Sequence, residues 1–240
     1  MRTALLSRRV YTRQSPGVVA CAVLLAGCHA TDDRAEARIE SELQSLIGPA
    51  DRYDVDVEGV ASDASGADAV DIVGYRIRPR QGPVIDRLSI ELRDIRYDRK
   101  GKRLERAESA HATAWINTAD LADFIEKQGG VRDASVTLSS PDSLFLRVRP
   151  EVAGLFVPPG ASVEVVGTIE GRGPYLEYDV ADVRAVGLNL GDWGSGRLSR
   201  LINPLIDLSD LPLRLDVTAV HVDGRTVRLD AEANGTPLRP

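Results

Sequence analysis

The sequence predicts an α+β fold, in which a curled, mainly antiparallel sheet wraps around a helix, with two or three helices and an elongated apolar groove. Apolar residues mostly alternate with polar ones, turns rich in Gly and Pro separate these runs at hairpin spacing, and helical periodicity is confined to a few short segments. A sheet with many strands and one covered face tends to curl. A helix lying in that curl would leave a groove lined by aliphatic side chains.

Residues 1–27 have the features of a bacterial lipoprotein signal peptide. Three arginines lie in residues 8–13, and the apolar run at residues 18–27 is too short to span a bilayer. The run ends in the sequence LAGC at residues 25–28, which resembles a lipobox, and Cys28 is the predicted site of lipid attachment. The alternative is an ordinary secretory leader with an incidental cysteine.

Cleavage before Cys28 would remove the only other cysteine, Cys21, so no intramolecular disulfide is expected. Two or more acyl chains such as palmitate on Cys28 would give stable membrane association. The predicted protein is therefore tethered to a membrane of the cell envelope and extracytoplasmic. Residues 28–31 form the lipidated tether, and residues 32–240 form a single domain.

The composition restricts the possible partners. Hydrophobic residues make up 43% of the chain and charged residues 28%, which is typical of a globular protein. Thirty Lys and Arg stand against 36 Asp and Glu, and aromatic residues make up 5%. A chain this acidic lacks the basic, aromatic surface that nucleic acids require, so we expect no nucleic-acid partner.

The clearest predicted helix covers residues 32–47. Its apolar residues recur at helical spacing and share one face. They are Ile39, Leu43, Leu46 and Ile47. Acidic residues in the first turn favour the positive end of the helix dipole, and Gly48-Pro49 ends the helix.

Two shorter helices are also predicted. The first is capped by Asn117 or Thr118, has about ten residues and ends at the glycines 129–130. Its buried face is predicted to consist of Leu121, Phe124 and Ile125. The second covers residues 196–205, and residues 203–204, Asn-Pro, disturb its end. Its apolar face is predicted to consist of Leu198, Leu201, Ile202 and Leu205.

The remaining chain is mostly predicted strand. A polar loop is expected at residues 61–69, a bulge within 88–97 where the alternation changes phase, a hairpin turn at 98–101, and another at Asp223-Gly224. The predicted strands lie at residues 53–58, 70–72, 88–97, 104–116, 136–138, 144–148, 163–169, 176–180, 183–190, 213–222 and 227–229.

The sequence offers little catalytic chemistry, and we expect a protein that is not an enzyme and has no cofactor. His29 lies in the tether, while His111 and His221 fall in predicted strands far apart in the chain. No HExxH, CxxC, GxSxG or Walker-type glycine loop occurs. Acidic pairs such as residues 179 with 182, or 207 with 210, arise readily by chance in so acidic a chain, so no metal site is assigned.

The segment LINPLIDLSDLP at residues 201–212 stands out. Asn203 and Asp207 can bond local backbone groups around Pro204, so a structural corner is the favoured interpretation.

This segment, the opening IESELQSLIGPADRYDVDVEGV and the central IDRLSIELRDIRYDRKGKRLERAESAHATAWINTADLADFI together resemble the LmeA-like phospholipid-binding family. The similarity covers most of residues 38–231. The resemblance implies an exported bacterial protein, a fold similar to the tubular lipid-binding proteins with an apolar cavity, and no catalytic residue. The lipobox replaces the plain leader or membrane helix of the family, which changes only the attachment.

The resemblance makes a phospholipid the expected ligand, with large apolar residues near turns and helix faces as its candidate contacts. These candidates are Trp115, Phe124, Phe156, Trp193, Leu201 and Leu205. The alternative for each of them is an ordinary core position.

Three functions remain open: an envelope lipoprotein that binds or transfers phospholipid, a scaffold or assembly factor for an envelope glycolipid-synthesis enzyme, and an envelope hydrolase. The first is preferred, and the third lacks a recognisable nucleophile and base.

Overall fold

A computed structural model describes residues 32–61, 65–98, 103–139, 142–152, 155–156, 162–185, 199, 202–209 and 215–234. Within these ranges the chain forms helices α1 (Asp32–Leu46) and α2 (Thr118–Lys127) and two sheets in which every pair of neighbouring strands is antiparallel. The α+β class and the antiparallel sheet are confirmed. No helix in the described ranges is long and apolar enough to cross a membrane.

The strands divide between a first sheet of seven and a second sheet of six. In chain order they are β1 (Arg52–Glu58), β2 (Gly66–Ile77), β3 (Ile85–Asp98), β4 (Arg103–Arg106), β5 (Ser109–Asn117), β6 (Val131–Ser139), β7 (Ser143–Val152), β8 (Leu155–Phe156), β9 (Val163–Arg172), β10 (Tyr175–Ala185), β11 (Ile206–Asp207), β12 (Asp216–Asp223) and β13 (Thr226–Asn234). The first sheet has the order β1-β2-β3-β5-β13-β12, with β4 paired to β3. The second has the order β11-β10-β9-β7-β6, with β8 paired to β7. The fold thus contains a curled, half-barrel sheet.

The buried apolar residues form two clusters. The α1 cluster joins Ile39 and Leu43 of α1 to the buried face of β1, β2, β3 and β5. The α2 cluster joins Leu121 and Ile125 of α2 to the second sheet and to the ends of β5, β12 and β13. The first sheet therefore contributes one face to both clusters, and different elements cover different parts of it.

Helix α1 matches the predicted helix to within one residue at its end. Ile39 and Leu43 are buried, and Ile47 packs against the α1 cluster from the turn that follows. The chain then turns at Gly48, whose φ of +143° is one that L side chains rarely adopt. A side chain there would also collide with the carbonyl group of Arg78.

Helix α2 begins at the predicted cap, because the Asn117 side chain accepts a hydrogen bond from the backbone N–H of Asp120 at 2.9 Å. Leu121 and Ile125 are buried as expected, whereas Phe124 is partly exposed. Both glycines after the helix, 129 and 130, have positive φ.

Several strand boundaries differ from the prediction. The predicted strand 104–116 is divided into β4 and β5, and the predicted strands 176–180 and 183–190 join into β10 with an irregularity between Val180 and Asp182. Strand β2 begins inside the predicted loop 61–69. A bulge absorbs one residue without ending the hydrogen-bonded ladder, so a break in alternation does not show whether a strand stops.

The predicted phase change in β3 is confirmed. Leu88 and Ile90 are buried, Asp94 has a φ of +48°, and Ile95 is buried again. The residue in the left-handed region shifts the alternation and returns an apolar side chain to the core. The predicted bulge is not found in the β2–β3 pairing, which keeps the same register on both sides of Asp94.

The predicted third helix lies mostly outside the described residues. Ser199 and Ile202 are helical, whereas Leu205 lies in a bend after the helix, and residues 206–207 form the unpredicted strand β11. The backbone N–H of Leu205 donates to the carbonyl oxygen of Leu176 in β10 at 2.9 Å, which aligns this segment with the edge of the second sheet.

Candidate functional site

The candidate site is the face of the first sheet against which Ile39 and Leu43 of α1 pack, called here the inner face. Its side chains form three rows that cross five neighbouring strands in register. The rows are Tyr53, Gly74, Leu88, Ala114 and Leu229; Val55, Ile72, Ile90, Ala112 and Ala231; and Val57, Val70, Leu92, Ala110 and Ala233. Strict alternation puts these residues on one side of the sheet, and none of them carries a charge.

The inner face is uneven because side-chain size changes from strand to strand. Strand β3 contributes Leu88 and Ile90, whereas the neighbouring strand β5 contributes only alanines until Ile116. An alanine side chain ends at Cβ, so the surface is lowest along β5. The α1 side chains Ile39 and Leu43 belong to the same packed cluster as these alanines.

The apolar interior continues from one cluster into the other. Ile85, Ala114 and Leu208 pack against both the α1 cluster and the α2 cluster. An apolar path therefore runs along the inner face from α1 to the second sheet. Acyl chains need such a surface, since they form no hydrogen bonds and gain free energy only by leaving water.

Two tyrosines that the sequence did not mark as functional are buried in this interior, one in each cluster. The Tyr53 ring packs over Gly74, and its hydroxyl donates to the carbonyl oxygen of Gly48 at 2.8 Å. In the second sheet the Tyr178 ring packs over Gly167, and its hydroxyl lies 3.0 Å from the carbonyl oxygens of Leu144 and Val165. Alternation in the sequence predicts that Tyr53 lies on the inner face. Its position over Gly74, in contrast, depends on the register between β1 and β2.

Burial keeps both phenols neutral, because a phenolate away from water is costly. Burial raises the pKa of Tyr53 from 10.0 to about 12 and also raises the pKa of Tyr178. The buried acid among the described residues, Asp120, is bound by Arg76, whose Nη1 and Nη2 donate to its carboxylate at 2.5 and 3.0 Å. The charge of Asp120 is therefore balanced by that of Arg76.

The Tyr53 shift predicts a loss of stability in alkaline solution. The unfolded chain releases the phenolic proton near pH 10, whereas the folded chain holds it to about pH 12, so the free energy of unfolding falls between these values. The slope from this group approaches about 1.4 kcal/mol per pH unit. Tyr53→Phe should flatten the fall, as measured by urea unfolding across this range. Parallel curves for the variant and the unsubstituted protein would contradict the burial of the phenol.

Three of the six candidate lipid contacts, Trp115, Phe124 and Leu205, have described side chains, and these lie in different environments. Leu205 is almost completely buried in the α2 cluster, and Phe124 is partly exposed on α2. Trp193, Leu201 and the predicted lipidation site Cys28 lie outside the described residues, as does the side chain of Phe156 in β8.

Trp115 lies on the opposite, outer face of the first sheet. Its neighbours Ala114 and Ile116 point inward, so the alternation turns Trp115 outward. The guanidinium of Arg87 lies 5.1 Å from the centroid of the Trp115 ring. Trp115 was expected at the lining or the mouth of a groove, and the first sheet separates its side chain from that of Leu205 on the other face.

The corner at Asn203 is structural but not local. Its side-chain oxygen accepts from the N–H of Tyr178 at 2.8 Å, and its amide donates to the carbonyl oxygen of Tyr178 at 2.9 Å. The predicted local bond is made by Asp207, which accepts from the N–H of Ser209 at 2.8 Å. Asn203 thus attaches the segment to β10, far away in the chain.

Both histidines in the described strands lie on the outer face. His111 is 3.5 Å from Glu232, and His221 is 3.6 Å from Asp230. In the ranges that the structure describes, no group of three or more His, Cys, Asp or Glu side chains could hold a metal ion.

The sequence model of one family, described as LmeA-like phospholipid-binding, matches residues 30–232. The chain belongs to the LmeA-like phospholipid-binding family. The match begins just before α1 and ends within β13, so it includes the inner face of this LmeA-like protein and the helix that covers it. No curated protein and no solved structure matches the chain.

Proposed function

We propose that this LmeA-like protein is an envelope lipoprotein that binds phospholipid and transfers it without catalysing a reaction. The observation that carries the proposal is the uncharged inner face of the first sheet, which continues into the α2 cluster. Membership of a phospholipid-binding family supports this ligand.

The acyl chains would lie along the alanines of β5, where the inner face is lowest. Ala110, Ala112 and Ala114 lie between the larger side chains of β3 and the side chains of β13. Larger side chains at these positions would compete with acyl chains for the same space, because protein interiors are close-packed. The phospholipid head group would remain at the polar rim.

The direct test is the lipid content of the purified protein. The chain from His29 onward contains every described helix and strand, and we expect phospholipid to co-purify with it and to be identified by mass spectrometry. Ala112→Leu should lower the bound phospholipid, whereas Ser109→Leu, on the exposed side of the same strand, should not. Ala112→Val provides a smaller change if the leucine destabilises the fold. Folded protein that neither contains phospholipid nor takes up an acyl probe would exclude the proposal.

The attachment to the membrane is a separate part of the proposal. The sequence LAGC at residues 25–28 supports lipidation of Cys28, and such a modification would hold the protein at the membrane without a spanning helix. Cys28→Ser should yield an uncleaved precursor or a soluble form, detected by cell fractionation and by the mass of the product. A Cys28→Ser protein that is processed and membrane-bound like the unsubstituted chain would show that the anchor lies elsewhere.

A further inference from the structure

The outer face of the first sheet carries a row in which basic and aromatic side chains alternate. Strand pairing places its members directly opposite one another on six neighbouring strands, in the order Arg52, Tyr75, Arg87, Trp115, Arg228 and His221. With strands about 4.8 Å apart, the row extends about 24 Å across the sheet. We call it the basic–aromatic row.

The contacts within the row hold its members in place. The guanidinium of Arg52 lies 4.9 Å from the centroid of the Tyr75 ring, and that of Arg87 lies 5.1 Å from the Trp115 centroid. These cation–π contacts position the guanidinium groups and leave their hydrogen-bond donors available. Arg87 is exposed, and it takes part in none of the ion pairs among the described residues.

Acidic side chains form ion pairs with two of the three arginines in the row. Arg52 pairs with Asp54 at 2.8 Å, and Arg228 pairs with Asp230 at 3.0 Å. Towards the turn after β12, the exposed Asp223 is accompanied by the exposed Arg225. The centre of the row, around Arg87 and Trp115, keeps its positive charge.

A second row on the same face has the opposite charge. It consists of Asp56, Asp71, Glu91, His111, Glu232 and Asp216. It lies four residues further along the strands from the basic–aromatic row, and five along β12, which has an irregularity between Val217 and Ala219. The distance is about 13 Å, which exceeds the screening length of about 8 Å in physiological salt. The outer face is therefore polarised, with a basic end and an acidic end.

We propose that the basic–aromatic row docks this protein on the phosphate groups of an anionic phospholipid bilayer. Arginine forks bind phosphate oxygens in pairs, and Trp and Tyr rings favour the boundary between water and acyl chains. The arginines of the row thus suit the phosphate layer of a membrane surface, and its aromatic rings suit the boundary between water and acyl chains. The inference rests on the proposed function only in that a phospholipid-binding protein must meet a bilayer to load or unload its ligand.

The acidic row sets the orientation of docking. Because it would be repelled by an anionic surface, the sheet meets the bilayer with its basic end, where α2 and the β12–β13 turn also lie.

The test measures flotation of the chain from His29 onward with vesicles of phosphatidylcholine alone, or of equal parts phosphatidylcholine and phosphatidylglycerol. We expect binding to the second vesicles only. Arg87→Gln combined with Arg228→Gln should weaken it about 25-fold, taking about five-fold for each arginine. The matched control, Arg93→Gln with Arg172→Gln, removes the same charge from arginines outside the row and should bind as the unsubstituted chain does.

Fluorescence supplies an independent readout. The chain has two tryptophans, so in Trp193→Phe all tryptophan emission comes from Trp115. Its emission should shift to the blue when phosphatidylglycerol vesicles are added. Equal weakening in the row variant and the control, or no shift, would overturn the proposal, as would retention of a single-stranded oligonucleotide without affinity for vesicles. The row variant should keep its co-purified phospholipid, so failure of docking and failure of the proposed function give different results.

Discussion

Leu43→Ala should lower the free energy of unfolding by about 2–5 kcal/mol, the range typical of a leucine truncated in a packed core. Leu43 is 6% exposed and contacts the α1 cluster beside Ile39. Its truncation would leave a cavity between α1 and the inner face, and helix α1 depends on this contact because a helix of its length is marginal in isolation. Urea unfolding followed by circular dichroism gives the difference.

The matched control is Gln44→Ala, one residue further along α1 on its exposed side. It changes helix propensity by a few tenths of a kcal/mol at most and removes no buried surface. If Leu43→Ala unfolds at the same urea concentration as Gln44→Ala, the packing of α1 against the inner face is not what holds the helix in place.

Asn203→Ala should be the second most destabilising change. It would leave the N–H and the carbonyl oxygen of Tyr178 without their partners beside a buried strand. Each unpaired group costs about 1–3 kcal/mol when water cannot replace the lost hydrogen bond. The expected result is a clear drop in the melting temperature, together with faster hydrogen exchange at the Tyr178 amide.

Two variants separate this effect from a general disturbance of the segment. Asn203→Asp keeps the acceptor for the Tyr178 N–H and loses the donor, so it should be intermediate. Asp207→Ala removes only the bond to Ser209, which is exposed, and should cost about 1 kcal/mol or less. A ranking in which Asp207→Ala is the most destabilising would show that the corner depends on its local turn instead.

The sequence predicts those parts of the fold that depend on local pattern. Helix α1, the cap at Asn117 and the phase change near Asp94 all follow from spacing and from capping chemistry within a few residues. These features need no knowledge of what the chain packs against. Boundaries such as the junction within β10 were wrong, because a bulge and a strand end look alike in the alternation.

The distribution of the strands between two sheets could not be predicted in this way. Strand β5 pairs with β13, which follows it only after the whole second sheet has been formed by the intervening chain. Asn203 likewise binds Tyr178 through groups whose proximity depends on that topology. Pairing over such distances is determined by the combined packing of many residues, and no short window of sequence contains it.

The alternation of residues in β5 already indicated the face on which Trp115 lies. Alternation puts Ala110, Ala112, Ala114 and Ile116 on one face of β5, and the same alternation puts Trp115 on the other. Size and hydrophobicity made the ring a candidate lipid contact at the lining or the mouth of a groove, whereas Arg87 on the neighbouring strand provides a favourable contact on the outer face. For a residue within a regular strand, parity is therefore a better guide to its face than its side-chain type.

The attachment of residues 203–208 to β10 also bears on self-association. An edge strand with free N–H and carbonyl groups can accept a strand from another molecule, which leads to aggregation. Here the segment forms hydrogen bonds to the backbone along this part of β10. Asn203 bonds to Tyr178, Leu205 to Leu176 and Leu208 to Pro174, so these backbone groups of β10 are not free to pair with another strand. The corner thereby covers this stretch of β10 and prevents copies of the protein from pairing edge to edge there.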